Sequence, residues 1–235
     1  MSAQLVIALD LPSASEALAL ASSLRPVTPW MKVGLELFTS AGPKIVEDLK
    51  KMDCLVFLDL KFHDIPNTVR SAVYSAFHSG ADMCNLHLCG GEEMCRAGVE
   101  ALRDLRARGF AGTLLGVTVL TSQDSAGPGA DVASVVLERA RNAKAWGLDG
   151  VVLSAREAAL VKRECGPDLI CLCPGIRPEK GRESPARSGG FADDQRRVLT
   201  PGQAVKAGAD YLVVGRPITR AENPPEAARL ILESF

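Results

Sequence analysis

CLVFLDLKFHDIPNTVRSAVYSAFHSG (54–80) holds one complete strand–loop–helix unit, and its reading decides the fold. Residues 54–60 are almost continuously apolar instead of alternating, as expected of a strand buried on both faces of a parallel sheet. Pro66 suits the first turn of a helix. Val69, Ala72, Val73, Ala76 and Phe77 then recur at helical spacing and form a buried stripe. The same unit repeats in both directions. Seven further strand candidates are LVIAL (5–9), WMKVG (30–34), MCNLHL (83–88), TLLGVTVL (113–120), GVVLS (150–154), LICLC (169–173) and YLVVG (211–215).

The helices between them have readable ends. Ser13-Ala14-Ser15-Glu16 has the form of a capping box, with Ala17, Leu20, Ala21 and Leu24 on one helical face. Asp131 is placed to cap a helix carrying Val132, Val135, Val136, Ala140 and Ala143, with Gly147 to end it. Eight near-equal strand–helix units with no composition break predict an α/β protein with one (β/α)8 TIM barrel over residues 1–235. An open doubly wound sheet is the weaker reading, because no dinucleotide fingerprint follows the first strand.

Of the 235 residues, 47% are hydrophobic and 23% charged, with a net charge of −1. That balance excludes a general nucleic-acid or membrane-surface binder. MSAQLVIALDLP (1–12) is too short in its apolar run for a signal peptide, and no stretch approaches a membrane span. Seven cysteines, an odd number, point to reduced thiols and a cytoplasmic location. Cys171 and Cys173 lack a second ligand pair at zinc spacing and read as buried thiols.

In a barrel of this kind, chemistry gathers where strands end. Asp10, Lys32, Asp59 and Lys61 come from three consecutive strands, and each would be costly to bury alone in its apolar run. They are expected to form one cluster of alternating charge. Asp59 and Lys61 stand two apart, so on a strand they point the same way, and Asp64 lies just past it in the turn before Pro66. An ammonium held between carboxylates suits a general acid that donates to a developing carbanion, and suits a Schiff-base nucleophile poorly.

Gly215 and Arg216, after the eighth strand, combine an approachable backbone amide with a guanidinium able to bind phosphate in bidentate fashion. The segment 175–199 is long, polar and rich in Gly, Pro and Arg, and is expected to be a mobile lid over the same group. Arg177 and Gln195 mark its two ends. His63 receives no proton-transfer role, His87 is read as a hydrogen-bonded residue behind the site, and His78 as a plain helix residue. No carboxylate–histidine metal triad stands out.

DLKFHDIPNT (59–68), PGIR (174–177), Gln195-Arg196-Arg197 and VVGRPI (213–218) resemble the orotidine 5′-phosphate decarboxylase family, in register from Asp10 to Arg216. The resemblance implies decarboxylation of orotidine 5′-monophosphate to UMP, the last step of de novo UMP synthesis, with no metal or organic cofactor. It implies that Lys61 donates a proton to C6 of the pyrimidine, that Asp59 sits beside the departing carboxylate, and that Lys32 completes the charged array. Asp10 would bind ribose hydroxyls and Thr121 would face the ring. Arg177, Gln195, Gly215 and Arg216 would form the phosphate-side contacts, and Pro174 would be a further substrate-binding residue. Asp64 and Thr68 would reach across a homodimer interface. The stretch between Arg177 and Gln195 is longer than in many bacterial members, which makes Arg182 and Arg187 substitutes for the loop contacts. A Mg²⁺-dependent keto-sugar-phosphate decarboxylase or aldol-type enzyme on the same barrel, using Glu36, is the nearest alternative. A non-catalytic phospho-ligand sensor is the other.

Overall fold

Eight parallel strands close on themselves in strict chain order in a computed structural model that describes residues 3–121, 131–178 and 198–235. The strands are β1 (Gln4–Ala8), β2 (Trp30–Gly34), β3 (Leu55–Phe62), β4 (Met83–His87), β5 (Thr113–Val117), β6 (Gly150–Val152), β7 (Ile170–Cys173) and β8 (Tyr211–Val214). Every expected apolar run supplies one of them, so the (β/α)8 barrel stands. The ends differ. β3 runs two residues further than its apolar stretch, through Lys61 and Phe62, whereas β5 stops at Val117, short of the expected 120.

Ten helices are described: α1 (Ala14–Leu24), α2 (Leu35–Ala41), α3 (Lys44–Lys51), α4 (Pro66–His78), α5 (Gly91–Arg106), α6 (Val132–Trp146), α7 (Ala155–Cys165), α8 (Pro201–Lys206), α9 (Arg216–Thr219) and α10 (Pro224–Leu232). Pro66 opens α4, Asp131 caps α6 through the Ser134 amide, and Gly147 ends α6 in the left-handed conformation. The Ser13 box is half made: Ser13 Oγ accepts from the Glu16 amide, with no return bond from Glu16. The reciprocal box sits instead at Thr200 and Gln203 on α8.

Two cores result. An outer shell packs the helix stripes (Ala17, Ala21 and Leu24 of α1; Val69, Val73 and Phe77 of α4) against outward strand residues such as Leu58 and Leu86. An inner cluster fills the barrel with Val6, Ala8, Trp30, Phe57, Met83, Leu115, Val117, Val152, Leu172 and Val213. Trp30 anchors it: its indole N–H donates to Gln4 Oε1 at 2.6 Å and its ring meets Tyr211 edge-on. Cys171 and Cys173 are fully buried free thiols, as expected; burial pushes the Cys171 thiol up to about 12.

The inner cluster also sets the parity of each strand. Side chains alternate along a strand, so two steps above inward-facing Trp30, Phe57 and Met83 the inward positions are Lys32, Asp59 and Asn85. The next on β3 is Lys61. The site is built at that level.

Candidate active site

Lys32 lies inside β2 with only 7% of its surface exposed. Its Nζ donates to Asp10 Oδ1 at 2.7 Å and stands 3.4 Å from Asp59 Oδ2. Lys61 Nζ donates to the other Asp59 oxygen, Oδ1, at 2.6 Å. Asp10, Lys32, Asp59 and Lys61 thus form one continuous row of alternating charge from the end of β1 across to β3. Adjacent strand registers bring them together, with Ala8 opposite Lys32 and Gly34 opposite Asp59.

The electrostatics follow from that row. Burial works most strongly against the charge on Asp59, yet Lys32 and Lys61 outweigh it and hold its carboxyl below the ordinary value of 3.8. Burial likewise opposes the charge on Lys32, yet Asp59 and Asp10 raise its pKa above 10.5. Both groups are therefore charged at neutral pH in a position where either alone would be costly.

Two residues that sequence reasoning passed over shape this row. A Cβ on Gly34 would come within 2.9 Å of both Asp10 Oδ1 and Lys32 Nζ, so the ion pair occupies space that a side chain would fill. Asn85, completely buried on β4, donates from Nδ2 to Asp59 Oδ1 at 2.8 Å and accepts the Lys61 backbone N–H on its own Oδ1 at 2.8 Å. The available signal was parity: a polar residue two steps from Met83 inside a buried strand.

Other expected residues take different positions. Asp64 makes no ion pair with Lys61; its Oδ1 accepts the neighbouring Ile65 amide, and Asp64 and Thr68 both face outward. Lys61 therefore has one carboxylate beside it within the chain, not the two read from the sequence, because Asp64 lies past the strand where the backbone turns into α4. His87 is also a correction: its Nδ1 is buried without a hydrogen-bond partner. Burial, then the neighbouring His63, Lys61 and Arg139, lower its pKa from 6.5, which keeps the ring neutral at pH 7.

Thr121 is buried beyond the end of β5, preceded by Thr118, whose hydroxyl donates to the Val152 carbonyl. Pro174 and Arg177 follow β7, and Gly215 and Arg216 follow β8, so neighbouring strands present both arginines on one sector of the rim. The base of the 175–199 segment is closed by a bridge between Ile176 and Leu199, with the Arg177 amide donating to Leu199. Gln195, Arg182 and Arg187, and with them the expected lid, lie outside the described residues. Among the described residues no three His, Cys, Asp or Glu side chains gather as a metal site, and no helix is long and apolar enough to cross a membrane.

A closed (β/α)8 barrel with paired ammonium and carboxylate groups at the C-terminal ends of its first strands defines an enzyme of the barrel class. A sequence model of the orotidine 5′-phosphate decarboxylase / HUMPS family matches residues 3–231, and the chain belongs to that family. It is 56% identical to an orotidine 5′-phosphate decarboxylase of Nitratidesulfovibrio vulgaris (strain Miyazaki F), over 98% of this chain and 97% of that protein. It is 49% identical to the enzyme so named in Maridesulfovibrio salexigens, over 97% of each. The crystal structure of orotidine 5′-phosphate decarboxylase from Lactobacillus acidophilus superposes with a TM-score of 0.83 at 32% identity, covering 100% of this chain and 99% of that one.

Proposed function

We infer that this chain is a carboxy-lyase that converts orotidine 5′-monophosphate to UMP and CO2 in pyrimidine biosynthesis. The observation that carries the chemistry is Lys61 Nζ held 2.6 Å from Asp59 Oδ1, with Lys32 on the opposite oxygen.

The reaction breaks the bond between C6 and the carboxylate. CO2 departs neutral and the electron pair stays on C6, in an sp² orbital that the ring delocalises poorly. Stabilisation must then come from a charge already in place. Lys61 supplies a preorganised ammonium beside the developing carbanion, worth more in a water-poor site than in solution, and then transfers an N–H proton to C6. The neutral amine left behind is recharged from water. Asp59, beside the substrate carboxylate, repels it in the ground state, and that repulsion vanishes as CO2 forms. Lys32 holds Asp59 charged and fixed while this happens.

The remaining assignments follow position. Asp10, half exposed at the end of the row, accepts from ribose hydroxyls, and Thr121 faces the pyrimidine. Arg177, Gly215 and Arg216 bracket the phosphate, whose binding energy is available to hold the reacting end in place, and Pro174 is a further substrate contact. Asp64 and Thr68, turned outward on either side of exposed Ile65 and the start of α4, are suited to enter the site of a second copy in a homodimer. One catalytic domain over residues 1–235, working in the cytoplasm, completes the reading. The carboxylates of the row are already committed to lysines, which argues against a magnesium-dependent sugar-phosphate reaction at the same place.

A spectrophotometric assay of orotidylate consumption, run with and without EDTA, tests this. Turnover unaffected by chelator is expected. Turnover that disappears with EDTA overturns the metal-free mechanism, and none under either condition refutes the decarboxylase and leaves the sugar-phosphate alternative.

A further inference from the structure

β3 and β4 fall out of register beside the site. Leu58 pairs with Cys84 and Phe62 with Leu86, so Asp59, Leu60 and Lys61 stand opposite Asn85 alone. Such a bulge strips its residues of ladder partners and redirects their side chains. Here it also places Lys61 at a φ of +53°, a left-handed backbone that a residue with a side chain rarely adopts. The Lys61 N–H, which a regular ladder would pair with a backbone carbonyl, donates instead to Asn85 Oδ1 at 2.8 Å. The amide's other end donates to Asp59 Oδ1, the oxygen that also receives Lys61 Nζ. The orientation of the amide is set by these partners: turned over, its oxygen would face a carboxylate and its NH2 an N–H.

We propose that Asn85 is the positioning residue of the site, a single buried amide that braces the bulge at Lys61 and aims the Asp59 carboxylate at the Lys61 ammonium. One side chain thereby links the backbone of the proton donor to the carboxylate that orients its tip. Neither Ser nor Leu spans both bonds; an amide, or a protonated carboxyl group, does. The consequence for turnover rests on the decarboxylase reading. The brace itself does not, and the two are tested separately.

Three measurements suffice. Asn85→Leu, close in volume, is expected to lower kcat roughly 100-fold, the scale of a misplaced reacting group, with KM changed by less. Asn85→Asp is expected to recover on acidification, because its protonated form restores one donor and one acceptor. The ratio of its kcat to that of the unsubstituted enzyme should climb as pH falls, by up to about tenfold per unit for a single proton. The charged and titratable groups around position 85 are Asp59 and Lys61, then Lys32 and Asp10, with His87, His63 and Arg139 beyond. All are common to both proteins, so their own titration largely divides out of the ratio. Amide hydrogen exchange at Lys61 needs no turnover: it should be slow in the unsubstituted protein and at least about tenfold faster in Asn85→Leu.

A kcat within about threefold in Asn85→Leu, a ratio flat with pH in Asn85→Asp, or Lys61 exchange that is the same in both proteins would each overturn the proposal. Should the unsubstituted chain fail to consume orotidylate, the decarboxylase reading falls, and the exchange measurement still decides whether Asn85 braces the bulge. Should Asn85→Leu fail to fold, the Asn85→Asp ratio and Lys61 exchange in that variant decide it.

Discussion

Two residues separate the floor of the barrel interior from its mouth. On β2 the step runs from Trp30 to Lys32, on β3 from Phe57 to Asp59, and on β4 from Met83 to Asn85. All six face inward, yet the lower three pack in an apolar cluster while the upper three are charged or amide side chains joined by hydrogen bonds. The difference teaches how one set of strands serves two ends. The lower level removes apolar surface from water and needs no partner of fixed geometry. The upper level is expensive to bury, and is tolerated because each polar group meets another. The lower packing in turn holds the strands in the register on which those pairings depend.

That division can be broken most decisively at Lys61. On the proposed mechanism Lys61→Ala removes both the proton donor and the charge facing the carbanion, and should lower turnover roughly 10⁴-fold or more. Its unfolding midpoint should fall modestly, because buried Asp59 keeps Lys32 but loses its second lysine, and nucleotide binding should survive. Near-normal turnover in steady-state kinetics would end the proton-donor assignment.

Phe57→Ala probes the lower level. Truncating a fully buried phenylalanine should cost about 3–5 kcal/mol in denaturant unfolding, while kcat per folded molecule changes only severalfold. A kcat collapse on the scale of Lys61→Ala would mean that the two levels are not separable.

The smallest expected effect sharpens the comparison through pH. Asp59 has a native pKa below 3.8, so its stabilising contribution is complete above that value and is lost as pH falls through the lower native value. Lys32 mirrors it: its contribution is complete below 10.5 and is lost as pH rises through the raised native value. Asp59→Asn should therefore melt below the unsubstituted protein at pH 7, and the gap should narrow as the buffer is taken below about pH 3.8. A gap independent of pH in calorimetry would show that Asp59 contributes by shape and not by charge.

The barrel was legible because eight apolar runs of strand length cannot be buried in many ways. The charged members of the site were legible for the converse reason: Lys32 between Met31 and Val33, or Asp59 between Leu58 and Leu60, violates its surroundings. Asn85 escaped notice because a neutral amide between Cys84 and Leu86 violates them less. Gly34 escaped because its contribution is the room left by a missing side chain. The extension of β3 to Phe62 was hidden for a related reason, since Lys61 keeps its place in the strand through a side-chain acceptor that lies far off in sequence. The hydrogen bond expected at His87 is missing at Nδ1, and no local pattern signals that.

The twisted backbone at Lys61 has a bearing on what this barrel can become. A left-handed site accepts Gly, Asn, Asp or His most readily and penalises β-branched residues, at about 1–2 kcal/mol for an ordinary side chain. On the proposed mechanism conformation and chemistry therefore pull this position in different directions, and a lysine stands there against the preference of its own main chain. A redesign toward another reaction inherits the same bend. Asn or His would slip into position 61 with the strand undisturbed, whereas Val, Ile or Thr would press it straight and swing Asp59 away from Lys32. Geometry thus narrows the palette at this spot before catalysis makes any demand.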